Sequence, residues 1–388
     1  MTASKRNLGQ KIGLLGGGQL ARMIAIACHE RGLIPVVLSE NSGDPAAQVV
    51  QHWIQGSPAN PAALRKLLEI CSVVTFESEF MDIPEKGEYS FVKAQAQKFF
   101  PRLPLMRSIQ DRRTQKELLS KYKIPQPKYL VVESEAQLHK ALTQMSFPCV
   151  LKKARGGYDG YGTFIFKKAE DVQKFLRQNL ASGDWSGAFT LEEWVPFQRE
   201  IAILFVRSKS RNNKKNFCSF PLVESKQSQQ RCDYVLGPIQ TSKVAAMKAL
   251  TKKFRRLMDS ENYVGVLAVE LFETKNELLV NELAPRVHNT GHYSMDALSE
   301  SQFLIHVRAG LGQDLDSPKL RAPAFVMTNL IGESEEALAF PDGLLGKLHW
   351  YGKVQNRRGR KMGHINYLGE NALKLLKKAL AERKGIQR

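Results

Sequence analysis

The sequence predicts a protein of α/β and α+β class with more than one domain. Strand and helix patterns alternate over the first hundred residues, a glycine-rich segment lies between two apolar runs at 147–166, and two apolar strands joined by a short turn occur at 265–283. The 388 residues are enough for two or three domains. Hydrophobic residues make up 43% and charged residues 24%, as in globular proteins, so wholesale disorder is excluded.

The N-terminal alternation predicts a parallel sheet with helices on both faces, because consecutive parallel strands need a crossover connection. The pattern breaks at Pro101–Pro104, and the first domain is therefore expected to end near there, at residue 108. The predicted elements are strand Lys11–Leu15, helix Gln19–Glu30, strand Ile34–Leu38, helix Pro61–Cys71 and strand Ser72–Phe76.

The later part of the chain combines a helix with several strands. The helix is expected at Gln110–Tyr122, and the basic run Arg207–Lys215 is expected to form a solvated hairpin tip. The predicted strands are Lys128–Val132, Phe189–Val195, Glu200–Val206, Gly265–Phe272 and Glu277–Leu283, the last two joined by a hairpin turn at Glu273–Asn276.

A formal net charge of +19 raises three classes of partner: nucleic acid, a membrane surface and anionic small molecules. The last 42 residues contain 12 Lys or Arg and 2 Glu, so they carry more than half of this charge. No apolar run approaches the ~18 residues of a membrane-spanning helix. The cysteines, which show no paired spacing, are Cys28, Cys71, Cys149, Cys218 and Cys232. These features predict a cytoplasmic protein without a membrane partner.

Gly16–Ala21 is the first candidate for ligand binding. It follows a strand and precedes a helix as a G-x-G-x-x-A match, where backbone N–H groups at a helix N-terminus can hold a phosphate. Glu40, 22 residues after Gly18, stands where a dinucleotide-binding fold places its ribose carboxylate. An NAD-dependent dehydrogenase is therefore an alternative function. A tight turn of a βαβ unit that binds no ligand is the plainer interpretation.

Lys152 and the loop Gly156–Gly162 form the second candidate. Four glycines in seven residues let the backbone approach a ligand closely and adopt positive φ. A lysine on the preceding strand can pair with phosphate as a point charge. The alternative is an ordinary glycine-rich hairpin.

Glu270 and the pair Asn281-Glu282 lie on two otherwise apolar strands that a hairpin would place side by side. Two carboxylates and an amide oxygen suit a hard cation such as Mg²⁺, and carboxylates this close repel unless a cation compensates them. A solvated edge strand is the alternative.

Two polar clusters complete the candidates. Arg286, His288 and Asn289 follow the second carboxylate strand and supply a cation, donors and acceptors for an anionic intermediate. The segment 349–364 combines aromatic and basic residues, which suits a phosphate or a base and equally suits single-stranded nucleic acid. A nucleic-acid-binding protein therefore stays open from the residues alone, with steep salt dependence as its signature.

Six motifs in one order resemble a known family. A phosphate-binding lysine, a glycine-rich loop between strands and a late pair of metal-binding residues resemble the ATP-grasp superfamily. The motifs themselves are similar to those of the N5-carboxyaminoimidazole ribonucleotide synthase family of purine biosynthesis, from about Lys11 to about Leu368. They are Gly16–Leu20 (GGGQL), Val74–Glu77 (VTFE), Gln110–Lys116 (QDRRTQK), Gly156–Gly160 (GGYDG), Asn281–Asn289 (NELAPRVHN) and Arg360–His364 (RKMGH).

The resemblance implies a domain order and a reaction. It implies a pre-ATP-grasp α/β domain at 1–108, a two-lobed ATP-grasp region at 109–312 and a small C-terminal domain at 313–388, usually in a homodimer. Within the ATP-grasp region, 109–196 would carry the glycine-rich loop and 197–312 the metal site. The family uses ATP to phosphorylate bicarbonate, and the carboxyphosphate yields CO₂ that carboxylates 5-aminoimidazole ribonucleotide (AIR). A separate mutase takes the product.

The resemblance also implies roles for individual residues. The carboxyphosphate would lie at Arg286, His288 and Asn289, and Mg²⁺ at Glu270 and Glu282. AIR would contact Gly18, Gln19, Leu20 and Glu77 in the first domain, and its phosphate would contact Lys353, Arg360 and Lys361. ATP would contact Arg112, Lys152, Gly157, Tyr158, Asp159, Gly160, Tyr161, Gly162, Thr163, Glu192, Glu193, Trp194, Val195, Glu200, Gln227, Asn281 and Glu282.

Two positions depart from the family pattern. Gln227 stands where an imidazole ring is usual, and Ser78 occupies the middle of the motif Phe76–Glu79, which is usually apolar. The segment 207–215 looks like an insertion without an assigned role. Another ATP-grasp ligase, such as a formate-using transformylase, is the nearest alternative enzyme.

Overall fold

The N-terminal part of this computed structural model is a four-stranded parallel sheet. Its elements are β1 (Lys11–Leu15), α1 (Gln19–His29), β2 (Ile34–Ser39), β3 (His52–Gln55), α2 (Pro61–Ile70) and β4 (Val73–Phe76). The strands lie in the order β3-β2-β1-β4, and all three pairings are parallel. The predicted parallel sheet is confirmed. Strand β3 was not predicted, because it has no apolar run and buries Ile54 alone among its four residues.

The structure describes residues 8–157, 161–179, 185, 187–212, 215–228, 231–336, 340 and 343–386. Tyr158, Asp159 and Gly160 of the predicted glycine-rich loop lie outside the described residues. No helix within the described ranges is long and apolar enough to cross a membrane.

Three helices lead from the first sheet to the next: α3 (Ser90–Ala94), α4 (Leu103–Gln110) and α5 (Arg112–Lys121). The sequence pattern breaks at Pro101–Pro104, but α4 begins there with proline in its first turn, where a missing N–H costs no hydrogen bond. The predicted helix Gln110–Tyr122 begins at Arg112 instead. The Asp111 carboxylate accepts from the backbone N–H of Arg113 and caps α5, which separates it from α4.

A four-stranded antiparallel sheet carries the glycine-rich segment. Its elements are β5 (Tyr129–Val132), α6 (Glu135–Leu142), β6 (Cys149–Lys153), β7 (Thr163–Phe166), α7 (Ala169–Asn179) and β8 (Phe189–Glu193). The strand order is β5-β8-β6-β7. The predicted strand–loop–strand unit is confirmed, and β8 ends at Glu193, two residues before its predicted end. Phe175 of α7 packs edge to face on Phe166 and Phe189, with ring centroids 5.7 and 5.9 Å away, which holds the helix on the sheet.

A nine-stranded sheet forms the rest of the structure. Its main strand order is β14-β13-β9-β11-β12-β15-β17-β16, with β10 paired to β9. Strands of the predicted C-terminal domain therefore continue the sheet of the preceding region, through antiparallel pairing of β12 with β15. The elements are β9 (Arg199–Arg207), β10 (Phe217–Ser219), β11 (Val223–Ser228), β12 (Arg231–Gly237), α8 (Val244–Ser260), β13 (Gly265–Glu273), β14 (Leu278–Ala284), α9 (Ser294–Ala297), α10 (Gln302–Gly310), β15 (Ala324–Ile331), β16 (Lys347–Trp350), β17 (Lys361–Gly369) and α11 (Ala372–Ile386).

The basic run 207–215 joins two antiparallel strands, as predicted, but its described part is not simply solvated. Ser208 is buried, and the Ser210 hydroxyl donates to the Asp314 carboxylate. The backbone N–H of Leu315 donates to the carbonyl of Lys215 at 2.6 Å. These contacts anchor the connection on the segment that follows α10.

A buried histidine joins the N-terminal sheet to the nine-stranded sheet. The Nε2 atom of His306, on α10, lies 2.7 Å from Thr75 Oγ1 on β4. Its Nδ1 accepts from the backbone N–H of Val266 on β13 at 3.0 Å. Burial lowers the pKa of His306 to about 3, so the ring stays neutral and can bridge the two strands. This contact links the strand that leads to Glu77 with the strand that carries Glu270.

We predict that His306 makes stability fall in mild acid. The pKa of His306 in the folded protein, about 3, lies below the ordinary value of 6.5, so its contribution is complete above pH 6.5 and declines as the pH falls toward 3. The loss between pH 8 and pH 5 is about 2 kcal/mol. Urea unfolding gives the free energy of unfolding of the wild type and of His306→Gln at pH 8 and at pH 5. The difference between the two proteins should change by about this amount between the two pH values. A difference between the two proteins that is equal at both pH values would contradict the prediction.

Candidate active site

Three parts of the chain meet at one site. Arg286, in the loop after β14, lies against Glu79, just beyond β4: its Nη2 donates to Glu79 Oε1 at 2.9 Å and its Nε donates to the other oxygen. Burial raises the pKa of Glu270, and the charge of Lys361, the first residue of β17, acts in the opposite direction. The N-terminal sheet, the β13–β14 hairpin and the C-terminal strands thus each contribute charged side chains to the same place.

Lys152 lies between two acceptors from different strands. Its Nζ is 3.0 Å from Glu192 Oε2 on β8 and 2.9 Å from Asn281 Oδ1 on β14. Burial opposes ionisation of Glu192, but Lys152, Lys116 and Arg112 together lower its pKa to about 2. A charged carboxylate therefore sits among three cations, and the lysine links the glycine-loop sheet to the nine-stranded sheet.

Lys116 is a site residue that the sequence reasoning did not assign. Its Nζ is 3.2 Å from Glu192 Oε2, and burial lowers its pKa. The available signal was spacing: Arg112 and Lys116 are four residues apart and so lie on one face of α5. Both belong to the motif Gln110–Lys116, of which only Arg112 was expected to contact ligand.

The two carboxylates of the predicted metal site face each other. Glu270 on β13 is the register partner of Glu282 on β14, next to a β-bulge at Glu270/Leu271. Burial and the Glu282 carboxylate raise the pKa of Glu270. Burial opposes the charge of Glu282 as well, but Arg112, with Nη1 2.7 Å from Glu282 Oε2, lowers its pKa. The hairpin therefore brings together the pair that the sequence spacing predicts.

The loop after β14 is held by its own polar side chains. The His288 ring has Nδ1 2.9 Å from Thr290 Oγ1 and Nε2 3.9 Å from Glu270 Oε1, which places the imidazole beside the carboxylate pair. The Asn289 amide exchanges two hydrogen bonds, of 2.9 and 2.8 Å, with the amide of Asn329 on β15. Asn289 thus ties the loop to the neighbouring sheet.

The described residues of the glycine-rich loop lie over Arg112. A Cβ built on Gly157 would be 3.5 Å from Arg112 Nη2, so the loop backbone passes close to this guanidinium. Gly162 adopts φ +79° and its carbonyl accepts from the backbone N–H of Lys153 at 2.8 Å. Thr163 is the register partner of Lys152, and the Tyr161 side chain is 61% exposed. The loop thus starts and ends beside cations of the site.

The segment at the end of β8 combines apolar, aromatic and charged side chains, as expected of a pocket that binds a nucleotide base. Val195 is buried and Trp194 is 40% exposed. The Glu193 carboxylate accepts from the backbone N–H of Lys128 at 2.7 Å. Glu200 on β9 has its pKa raised by burial.

Gln227 lies on β11, the strand beside Glu200. Glu200 is the register partner of Ser225, two residues before Gln227, and a bulge separates Lys226 from Gln227. The half-buried Gln227 is therefore placed along the same strand pair as Glu200.

In the first domain, a carboxylate occupies the predicted anion position at the start of α1. Burial raises the pKa of Glu77, and the backbone N–H groups of Gly18 and Ala21 donate to its carboxylate. A Cβ on Gly16 or Gly18 would come within 2.5 or 2.6 Å of the Glu77 side chain, which explains glycine at both positions. Gln19 and Leu20 begin the helix and are half-buried.

This arrangement contradicts the dehydrogenase alternative. A dinucleotide pyrophosphate at the N-terminus of α1 would meet the Glu77 carboxylate, which already takes the N–H donors. Glu40, the expected ribose carboxylate, is exposed beyond the end of β2.

The basic residues of the C-terminal part of the chain divide into two groups, one around the loop between β16 and β17 and one on α11. The Lys353 ammonium donates to the carbonyl of Lys361 at 2.7 Å, and Arg360 donates to the carbonyl of Gln355 at 3.0 Å. Lys361, Lys353 and Arg360 therefore lie in one connected loop. By contrast, Arg383 on α11 is paired with Asp233 at 2.6 Å, in a contact that fastens the helix to the sheet.

Three domain families match the sequence in succession. Residues 9–110 match the ribonucleotide synthetase preATP-grasp domain, residues 117–303 the ATP-grasp domain, and residues 325–378 the phosphoribosylaminoimidazole carboxylase C-terminal domain. The N5-carboxyaminoimidazole ribonucleotide synthase of Synechococcus elongatus is 37% identical over 365 residues, which cover 92% of this chain and 89% of the relative. The chain belongs to the N5-carboxyaminoimidazole ribonucleotide synthase family.

Other members of the N5-carboxyaminoimidazole ribonucleotide synthase family agree in sequence and fold. The Bacillus subtilis enzyme is 34% identical, with 93% of this chain and 92% of the relative covered. An ADP complex of an N5-carboxyaminoimidazole ribonucleotide synthetase superposes with a TM-score of 0.85 at 32% identity, over 98% of both chains. The Aspergillus clavatus enzyme, solved with ADP and 5-aminoimidazole ribonucleotide, gives a TM-score of 0.82 at 28% identity, over 97% of this chain and 99% of that one. The predicted three-part ATP-grasp architecture is confirmed.

We predict that Lys152→Met raises the KM for ATP by roughly 10- to 100-fold, as expected if its ammonium makes a charge-assisted hydrogen bond to a phosphate. Lys168→Met is the control: this lysine is 70% exposed, its Nζ lies 3.9 Å from Glu170 Oε2, and ATP binding should stay close to wild type. Steady-state kinetics with ATP as the varied substrate measures both. Equal losses in the two variants would show that Lys152 has no special contact with the nucleotide.

Proposed function

We propose that this protein uses ATP and bicarbonate to carboxylate the exocyclic amine of 5-aminoimidazole ribonucleotide (AIR). The products are N5-carboxyaminoimidazole ribonucleotide, ADP and phosphate, in purine biosynthesis. The observation that carries the proposal is the convergence of the cation cluster, Arg286 and the basic loop on the carboxylate pair Glu270 and Glu282: Arg112 and Lys152 act on Glu282, Glu282 acts on Arg286, and Lys361 acts on Glu270. Such a site can bind a nucleoside triphosphate and a second anionic substrate side by side.

The ATP side is assigned to the residues around Glu192. Lys152, Lys116 and Arg112 would contact the phosphates, and the loop 157–163 would cover them. The segment 192–195 would hold adenine, with the Glu200 carboxylate on the ribose hydroxyls and Gln227 on the neighbouring strand. The buried cluster supports this assignment, because Lys152 and Lys116 both adjoin the single Glu192 carboxylate, which leaves one cation in excess to bind phosphate.

The pair Glu270 and Glu282 would hold Mg²⁺, with Asn281 alongside. The donor set fits this ion: two partly buried carboxylates lie opposite each other, and burial together with the charge of Glu282 raises the pKa of Glu270. When bound, the ion neutralises charge on the phosphates of the nucleotide. Arg112 beside Glu282 keeps one carboxylate ionised before any ion arrives.

The reaction divides into phosphoryl transfer and carboxylation. A bicarbonate oxygen attacks the γ-phosphorus, the bond to the ADP oxygen breaks, and the carboxyphosphate then breaks down into CO₂ and phosphate. Arg286 and His288 would stabilise this anion with fixed donors, and Asn289 holds their loop on β15. The AIR amine then forms a bond to the carbon of CO₂ and loses a proton.

AIR would lie between the first domain and the basic loop. Lys353, Arg360 and Lys361 would bind its phosphate, while Glu77, with Gly18, Gln19 and Leu20, would contact the rest of the nucleotide. The Glu77 carboxylate at the start of α1 supports this orientation, since it would repel a phosphate and accept from hydroxyl or amine groups.

A homodimer, a cytoplasmic location and transfer of the product to a separate mutase complete the proposal. They rest on what the resemblance of the six motifs to the family implies. All five cysteines are free and buried, which suits a reducing compartment. A formate-using transformylase is the competing enzyme, and a nucleic-acid partner is not proposed because basic residues such as Arg383 serve internal ion pairs.

We predict that release of phosphate from ATP requires AIR and bicarbonate together, because the amine consumes the CO₂ formed at the site. Formate in place of bicarbonate is expected to give no turnover. A coupled assay for ADP, run with each substrate omitted in turn, measures this. ATP hydrolysis at the same rate without AIR, or turnover with formate, would contradict the proposed reaction.

We predict that Glu282→Gln lowers kcat by about 100-fold or more, because it removes one of the two anionic metal ligands and the partner of Arg112. Glu277→Gln, an exposed carboxylate on the same hairpin, serves as the control and should retain wild-type turnover. ADP formation and the circular dichroism of each variant are the measurements. Unchanged turnover in folded Glu282→Gln would show that the metal assignment is wrong.

A further inference from the structure

We propose that Asp296 is a positioning residue that places the substrate-phosphate loop of this enzyme. The loop comprises residues 351–361, from the residue after β16 to the first residue of β17, and includes Lys353, Arg360 and Lys361. The inference rests on the proposed function, since it concerns the binding of the AIR phosphate. Asp296 itself is assigned no contact with substrate.

One buried carboxylate holds both strands that border this loop. Asp296, on α9, accepts from His349 Nε2 at 2.6 Å and from Lys347 Nζ at 3.0 Å, both on β16. It also accepts from Asn366 Nδ2 on β17 at 2.7 Å. Asp296 is 7% exposed, so these three donors replace the water that it loses on folding. The distance between α9 and the two strands is therefore set by charge-assisted hydrogen bonds.

A stack of aromatic rings connects His349, which donates to Asp296, with Tyr351, the first residue of the loop. The His349 ring lies parallel to His364, with centroids 4.6 Å apart and planes inclined by 14°. His364 Nδ1 is 2.9 Å from the hydroxyl of Tyr351, and its ring is also 5.0 Å from the ring of His292. His292 and Asp296 belong to the segment that follows Arg286. The rings therefore fix the start of the loop relative to the residues proposed to hold the carboxyphosphate.

Hydrogen bonds tie the loop to its bordering strands. The backbone N–H of Tyr351 donates to the carbonyl of Met362 at 3.0 Å, and Lys353 Nζ donates to the carbonyl of Lys361 at 2.7 Å. Its two ends are thus tied to each other, and Asp296 ties both to α9. Loss of the Asp296 carboxylate would shift all the phosphate-binding cations together relative to Arg286.

The ATP side is fixed by other contacts. Lys152, Glu192 and Asn281 are held by β6, β8 and β14, none of which includes a residue bonded to Asp296. A change at Asp296 is therefore expected to alter the KM for AIR but not the KM for ATP. Loss of a residue needed only for folding would affect both KM values alike.

The test compares Asp296→Ala with Asp296→Asn and with a matched control. Asp233→Ala breaks another carboxylate contact, between β12 and Arg383 of α11 at 2.6 Å, which involves neither β16 nor β17. We expect Asp296→Ala to raise the KM for AIR about tenfold or more, with kcat and the KM for ATP changed by less than about twofold. Asp296→Asn should recover part of the loss, because an amide oxygen still accepts from His349 or Asn366. Asp233→Ala should leave the KM for AIR unchanged.

A second measurement does not depend on turnover. Amide hydrogen exchange of peptides covering 351–361 should quicken in Asp296→Ala and remain as in the wild type in Asp233→Ala. Unchanged exchange of the loop in Asp296→Ala, or an equal rise in the KM for AIR and for ATP, would overturn the positioning role. Absence of AIR-dependent turnover in the wild type would overturn the proposed function instead, and the exchange of the loop would still decide whether Asp296 positions it.

Discussion

The buried ion pair between Arg286 and Glu79 is the contact on which the site depends. It joins the end of β4 in the N-terminal sheet to the loop after β14, and both side chains are less than a fifth exposed. Removing one partner of such a pair costs about 3–5 kcal/mol, because the other charge is left buried and alone. The pair therefore fixes the N-terminal sheet relative to the β13–β14 hairpin. The Asp296 contacts in turn fix β16 and β17 relative to α9, which follows the Arg286 loop.

Ion pairing explains how so many charged side chains can lie close together in one partly buried site. Glu192 is balanced by Lys152 and Lys116, and Glu282 by Arg112. Among the described residues, no Lys or Arg forms an ion pair with Glu270, and its pKa is raised by burial and by Glu282. A metal ion would complete the balance at Glu270, and an anion would complete it at Glu192, where one cation is in excess.

Much of the fold could be predicted because local patterns were consistent with it. The alternation of β1, α1 and β2 marked the parallel sheet, and the apolar runs around Glu270 and Glu282 marked the hairpin. Predictions failed where a single side chain overrode the pattern. Asp111 caps α5, so the helix expected from Gln110 begins at Arg112, and proline starts α4 where a break was expected. Strand β3 was missed because it buries one residue.

The sequence by itself determined the class of the fold, the family and which residues carry charge in the site, since these depend on local spacing and motif order. The tertiary structure alone decided which charges face each other. No spacing in the chain relates Glu79 to Arg286, Lys152 to Asn281, or Asp296 to His349, because each pair is brought together by strands distant in sequence. The glycine motif shows the same limit: the partner of its N–H groups, Glu77, comes from another strand.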